Sequence, residues 1–375
     1  MRRKVRLCLT FLTGLAILST GCKKNESIWR GTIEVKNGIT IVSNPKEPMF
    51  SEEIMNLEED LSIGVKEGLK EYMFSQIRDI DVDEDGNIYA VDQKEAQIKV
   101  FDGDGEYLRT IGRRGQGPGE LAAPYFLSIT AQKHLVVEDV ANRRMAFFTL
   151  KGEFIKDVST AANFFFGSKI DSTESYYGIL SVQDDDPHYE LRKFSPELEY
   201  LHTLASSPSV LTSQKIYKAY SPMITYDLTK YDQVVFGFPD RYGISICDPK
   251  GVLIRKITRV YDPVEISAEE RAEYEKRQAP PGYTFEIPKF HSAYNWIFVD
   301  DQGRIFIATW EKSENMHSYD IFTAEGKYLA KVLLSITPMV MKKNKIYTIE
   351  ADEEGYQKIK RYHITWLIEW DRSCV

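Results

Sequence analysis

Several groups of side chains in this sequence have the types and spacing that chemistry requires. Asp81-x-Asp83-x-Asp85-Gly86, with Asp92 at the twelfth position, matches on paper a calcium loop, in which alternate carboxylates converge on a hard cation. Asp184-Asp185-Asp186-Pro187-His188 sets three carboxylates beside an imidazole, a donor set suited to a metal. Gly112-Arg113-Arg114-Gly115-Gln116-Gly117-Pro118-Gly119 has the composition of a phosphate-binding loop. Each pattern has a plainer explanation. A calcium loop leads into a helix, whereas alternating β residues flank Asp81 to Asp92, and equivalent turns recur elsewhere without the acids, so a hairpin turn is expected there. The glycine run lacks the Lys-Ser/Thr and the following helix of a P-loop. It reads as a flexible crossover that offers Arg113 and Arg114 to an anion at most. Consecutive acids in a hairpin are usually solvated. No Ser-His-Asp or paired-carboxylate arrangement can be argued from spacing, so no catalytic residue, metal or cofactor is assigned.

The elements that must position these residues come from a repeat. Residues 98–108 (IKVFDGDGEYL) and 145–155 (MAFFTLKGEFI) share one cadence, strand, tight turn, strand, which returns at 191–201, 244–254 and 319–329. The turn moves from 105 to 152 to 198, steps of 47 and 46, and then to 251 and 326. A second hairpin precedes each of these, most clearly around Asp83-Glu84-Asp85-Gly86. Two hairpins make a four-stranded blade, and blades repeating at this period predict an all-β, six-bladed β-propeller of antiparallel blades. Five blades are complete. The sixth has three strands, 337–341, 345–350 and 357–363, and an N-terminal strand, 38–43, is expected to complete it. Residues 365–375 receive no assignment.

The first residues concern the compartment. Arg2, Arg3, Lys4 and Arg6 precede an apolar stretch too short for a permanent span, and Leu18-Ser19-Thr20-Gly21-Cys22 looks like a bacterial lipobox. Residues 1–21 are then a lipoprotein signal peptide, Cys22 carries a covalent lipid of the palmitate type, 22–37 is a lipidated linker, and 38–375 is the propeller. Such a chain is anchored rather than spanning. The expected home is the bacterial cell envelope, and Lys23 after the cysteine, where some bacteria use Asp to hold a lipoprotein at the inner membrane, tilts this toward the outer membrane. Beyond residue 21 the chain has 44 Lys and Arg against 56 Asp and Glu, near −12, which opposes nucleic acid as a partner. Of four cysteines, Cys8 leaves with the signal, and Cys247 and Cys374 do not make a disulfide framework.

Residues 112–121 (GRRGQGPGEL), then Pro124, together with Val137-Glu138-Asp139-Val140-Ala141-Asn142-Arg143-Arg144-Met145, resemble the inter-blade signature and the Asp-x-x-Asn-x-Arg strand turn of NHL-repeat propellers. The resemblance is close over 74–159 and fades into bare strand cadence afterwards. It extends to six-bladed NHL-like lipoproteins of Gram-negative bacteria, whose N-terminal segment ends in an Asn-Pro such as Asn44-Pro45. It implies the fold strongly and function weakly, since such propellers include binders and lyases alike.

Turns between strands one and two, and between three and four, are short. The other connections are long and varied: 112–124, 184–188, 205–215, 309–317 and above all 258–289. Topology places these at one end of the ring, where binding is expected. The insertion at 259–288 contains Ser267-Ala268-Glu269-Glu270, a capping-box pattern that predicts a helix of two to three turns, acting as a lid, a contact arm or a spacer. The candidate ligand-binding residues are Arg113, Arg114, His188, Arg241, His291, Trp310 and His317. The inner strands are expected to start at Phe74, Phe126, 164–166, Met223, Tyr294 and Thr337, mostly aromatic or apolar, with His291 and Asn295 as polar exceptions from one blade only, so no set of metal ligands converges from several blades. The expected function is therefore capture of an envelope protein, peptide or glycan. The alternatives are a metal-dependent lyase or lactonase acting in the central channel, and a scaffold subunit of an envelope complex.

If Cys22 carries the lipid, Cys22→Ala should leave the membrane fraction or accumulate as an unprocessed precursor. Processed protein that still sediments with membranes would exclude the anchor.

Overall fold

A computed structural model of the chain describes residues 28–161, 165–209, 215–220, 222–277, 281–313 and 316–368. The chain enters through β1 (Thr32–Lys36), β2 (Ile39–Asn44) and β3 (Met55–Ile63). Blade one is β4 (Ile77–Val82), β5 (Ile88–Asp92), β6 (Gln97–Phe101) and β7 (Tyr107–Ile111). Blade two is β8 (Pro124–Ile129), β9 (His134–Asp139), β10 (Arg144–Thr149) and β11 (Phe154–Ser159). Blade three is β12 (Phe166–Ile170), β13 (Tyr176–Val182), β14 (His188–Phe194) and β15 (Tyr200–Pro208). After β16 (Ile216–Lys218), blade four is β17 (Thr225–Leu228), β18 (Val234–Gly237), β19 (Gly243–Cys247) and β20 (Leu253–Arg259). The insertion α1 (Ala268–Glu275) and β21 (Thr284–Glu286) leads to blade five, β22 (Trp296–Val299), β23 (Ile305–Ser313), β24 (Met316–Phe322) and β25 (Tyr328–Leu334). Blade six is β26 (Val340–Lys342), β27 (Lys345–Ala351) and β28 (Gln357–Trp366), with β3 as its fourth strand.

The sequence folds this way because a blade has two faces to cover and a neighbour on each. The middle strands read as continuous apolar runs, and every residue of β5 is buried. Rim strands meet solvent, and β7 alternates between covered and open positions. The buried apolar residues fall into one cluster per seam: Tyr89 to Phe148 between blades one and two, Val136 to Leu198 between two and three, and so around the ring.

Hairpin turns are held by aspartates. Asp83 accepts the backbone N–H groups of Asp85 (2.9 Å) and Asn87 (2.8 Å) and the side-chain amide of Asn87 (2.8 Å). Asp102, Asp171, Asp248, Asp300 and Asp352 do the same in their turns. Gly86 and Gly105 follow with φ of 90° and 86°, values that favour glycine. The calcium-like motif is thus a hairpin turn between β4 and β5, with Asp83 clamping it and Asp81 turned toward the next blade.

The NHL-like residues form a second device. The Asp139 carboxylate accepts the N–H groups of Ala122 and Ala123, just before β8, and the amide of Asn142. Asn142 donates to the carbonyl of Gly115 and Arg144 to that of Gly117 (3.0 Å), so the glycine-rich crossover is pinned to its own blade. Asp92 repeats the arrangement in blade one, holding the N–H groups of Ser75 and Gln76.

Closure differs from expectation in one respect. An N-terminal strand does complete the last blade, but it is β3, paired with β28 from Ile63 to Met55, and not residues 38–43. Those residues fall in β2, which runs parallel to β20 on the rim of blade four, with β1 outside it. β1 itself lies within the stretch read as linker. Between β2 and β3 the chain crosses blade five, where Met49 and Phe50 donate to the carbonyls of Tyr328 and Leu329. The N-terminal segment is therefore a belt over blades four, five and six. Asn44 fastens it: its amide donates to the carbonyls of Thr258 (3.1 Å) and Gly326 (2.9 Å), and its carbonyl accepts from Trp29 (2.8 Å) and the Tyr328 N–H (2.7 Å). β28 extends through Trp366, so the unassigned tail begins as part of blade six.

Asn44→Ala should cost about 3 kcal/mol, because it strands buried backbone groups on two blades, and denaturant melts will show it. Deleting residues 23–64 should abolish the cooperative transition, whereas deleting 23–37 should leave one. Equal melting of both truncations would mean that the ring closes without β3.

Candidate functional site

The inner strands β4, β8, β12, β17, β22 and β26 surround the central channel, and each is the free edge of its sheet. Side chains of the preceding blade cap two of these edges. Asp79 and Asp81 accept the N–H groups of Leu127 (3.0 Å) and Ile129 (2.8 Å). Thr225 and Asp227 accept those of Ile297 (3.0 Å) and Val299 (2.9 Å). The second oxygen of each carboxylate takes an N–H of its own strand, from Ile80, Val82 and Leu228. Lys169 of blade three reaches Asp227 at 3.0 Å and is held firmly charged by it. Of these residues sequence reasoning singled out Asp81 alone, and as part of a calcium-like turn rather than as an edge cap. The signal was there, as an i, i+2 polar pair in an inner strand that returns as Thr225 and Asp227.

A cavity of about 320 Å³ lies within this ring, with Asp79, Ser128, Ser168 and Lys169 facing Phe298, Met339 and Met341 of blades five and six. A wider one of about 630 Å³ shares Asp81, Ser128, Lys169 and Asp227 with it and opens among the short turns, beside Glu84, Asp171 and Asp232. Burial pushes the Asp79 carboxyl up to about 7 against the Leu127 N–H, and the neighbouring Asp81 adds to the rise. Burial also raises Asp81. Glu138, buried in the seam between blades two and three, is pushed up to about 7, opposed only by the hydroxyl of Ser168 at 3.0 Å. A lyase-type metal centre does not fit this donor set. Among the described residues no three His, Cys, Asp or Glu are grouped to hold an ion, and the channel carboxylates already serve backbone N–H groups.

At the opposite end, two long connections have become one cap. β16, from the connection between blades three and four, pairs in parallel with β21, from the connection between four and five. The capping box at α1 is formed, with Ser267 and Glu270 each holding the other's backbone N–H. Arg271 ties the helix to the carbonyls of Ile287 and Pro288. Beneath it, His291 stacks on Trp310 (4.3 Å, 9°) and meets Glu270 at 3.2 Å, and Tyr220 packs edge-on against both rings.

All seven candidate residues fall at the long-connection end, but in different states. His291 is buried, and Trp310 is partly buried and donates to Ser292 (3.0 Å), so both serve the cap. Arg241 and His317 are exposed. Arg113 is exposed yet pairs with Glu120 at 3.0 Å, and Arg114 donates to the carbonyl of Lys94. Glu120 also accepts the N–H groups of Gln116 (3.1 Å) and Gly117 (2.9 Å), so the loop's anion position is filled by its own carboxylate. His188 is held by Glu190 (3.2 Å), Asp184 and the Asp186 carbonyl, and that carbonyl and Glu190 raise its pKa. Cys22, Cys374 and Phe164 lie outside the described residues, and Cys247 is a buried free thiol.

Residues 67–240 match the DUF5128 family, described as a 6-bladed beta-propeller. The fold is that of bacterial six-bladed propellers. An exported protein of Bacteroides fragilis superposes with a TM-score of 0.54 at 10% identity, over 87% of this chain and 99% of its own. A DUF4221 family member from Bacteroides vulgatus gives 0.49 at 13% identity, over 84% and 99%. Virginiamycin B lyase from Staphylococcus aureus gives 0.43 at 14%, over 84% and 100%. The first is a likeness of fold, and no residue or activity is carried over from the other two. No curated protein matches the chain. No helix among the described residues is long and apolar enough to cross a membrane.

Glu138 sets a pH dependence. Its carboxyl binds a proton more tightly when folded, so its stabilisation is full below about pH 4.5 and is lost as pH rises through about 7. The loss approaches about 3 kcal/mol. Glu138→Gln should retain that stability at pH 8, read by denaturant unfolding across pH. Parallel profiles for the two proteins would contradict the assignment.

Proposed function

We propose that the chain is an extracytoplasmic binding module, lipid-anchored at Cys22, that takes a protein, peptide or glycan partner at its long-connection end. The cap carries this reading. A propeller ring needs no structure over blades four and five, yet two connections are lengthened, paired strand to strand and braced by an aromatic cluster. A rigid platform of this kind lowers the ordering cost of binding. The short-turn end, by contrast, is made of self-clamped hairpins. The B. fragilis neighbour described as exported agrees with an envelope location.

The channel supports a second reading, an enzyme acting on a small molecule. Its support is the Asp79 carboxyl, which titrates near neutrality beside a cavity of about 320 Å³ and so has the poise of a general acid or base.

Partner capture from envelope extract discriminates the two. Arg241→Ala and His317→Ala should each weaken it by about 1–2 kcal/mol without moving the melting temperature. Asp104→Ala and Lys250→Ala at the short-turn end should leave it unchanged, as should Asp79→Asn in the channel. Trp310→Ala should lower the melting temperature, because its ring holds the cap. Capture lost with the second set and kept with the first would place the binding end on the short turns.

A further inference from the structure

β1 is the outermost strand of blade four, and all five of its residues are exposed, which no other rim strand shows among the described residues. Ile33 (48% exposed) and Val35 (70%) project from one side of it, and Ile28 (72%) precedes it. Apolar exposure does not by itself single out this rim, since Leu108, Ile155, Leu201 and Val252 are also open on other blades. What distinguishes blade four is the covalent path. The chain enters the fold here, six residues after Cys22, a reach of at most about 20 Å when fully extended.

We propose that the rim of blade four rests on the lipid surface through Ile28, Ile33 and Val35, so that both ends of the ring open sideways along the membrane. This rests on the reading of Cys22 as the lipid-bearing residue. A tether this short places the patch at an effective concentration of order millimolar, so even a contact of millimolar affinity is occupied much of the time. Charge favours the same rim. Between Cys22 and β1 the sequence carries Lys23, Lys24 and Arg30 against Glu26 alone, while Lys36 is neutralised by Glu34 at 2.6 Å. Anionic headgroups attract this local basic run and repel the acidic remainder of the surface.

The full chain, lipidated and reconstituted in phosphatidylethanolamine–phosphatidylglycerol vesicles, provides the test. In a Cys374→Ser background, an environment-sensitive label is placed through Val35→Cys or, on blade one, through Leu108→Cys. Brominated lipid should quench the label at 35 several-fold more than that at 108. Ile33→Asp should remove the difference while flotation with vesicles persists. Flotation with equal quenching at both positions overturns the rim contact and spares the anchor. Loss of flotation overturns both. A dimer of the unlipidated chain that buries the label at 35 would assign this strand to a second copy instead.

Discussion

Asp79 and Asp81 accept backbone N–H groups from Leu127 and Ile129 across the seam between the first two blades, and Thr225 and Asp227 repeat this between the fourth and fifth. Most of the molecule depends on solving that one problem. A blade is a sheet with a free inner edge, and an edge left bare at the channel exposes donors that must be satisfied. At these two seams polar side chains of one blade satisfy the donors of the next, while an apolar cluster behind each seam of the ring supplies the bulk of the stabilisation.

This arrangement constrains what the channel can do. Its carboxylates are structural acceptors first, and Lys169 is bound to Asp227. What remains adjustable is protonation. Asp79 and Glu138 both sit near neutrality because burial penalises their charged forms. Elaboration has gathered instead at the end where the crossovers lie. There a connection can lengthen without disturbing a seam, and two of them have joined over blades four and five.

Closure is a matter of distribution. One strand would suffice to complete blade six, yet the N-terminal segment touches three blades and is fastened by Asn44, which bonds to blades four and five at once. A belt spreads the closure over many weak contacts, so no single rim strand has to hold the ring. It also sets β1 on the rim of blade four.

The blade count, the hairpin turns and the capped helix in the insertion were legible in the sequence, because each is written locally, whereas 309–317, read as a long connection, lies mostly within β23 and β24. Strand alternation, tight turns closed by glycine, and Ser267 with Glu270 all act within a few residues. The NHL-like resemblance was strongest over blades one and two, where Asp92 and Asp139 pin the crossovers. Tertiary structure decided which N-terminal strand closes the ring. Residues 39–44 (ITIVSN) read as the better strand, whereas β3 (MNLEEDLSI) carries acids in its middle. A rim strand is solvated over much of its surface and needs no apolar signature, so its partner is fixed by where the chain must pass. The same holds for Trp310 and His291. Their types suggested an open binding surface, but packing beneath α1 made them supports for it, a choice set by contacts between segments distant in sequence.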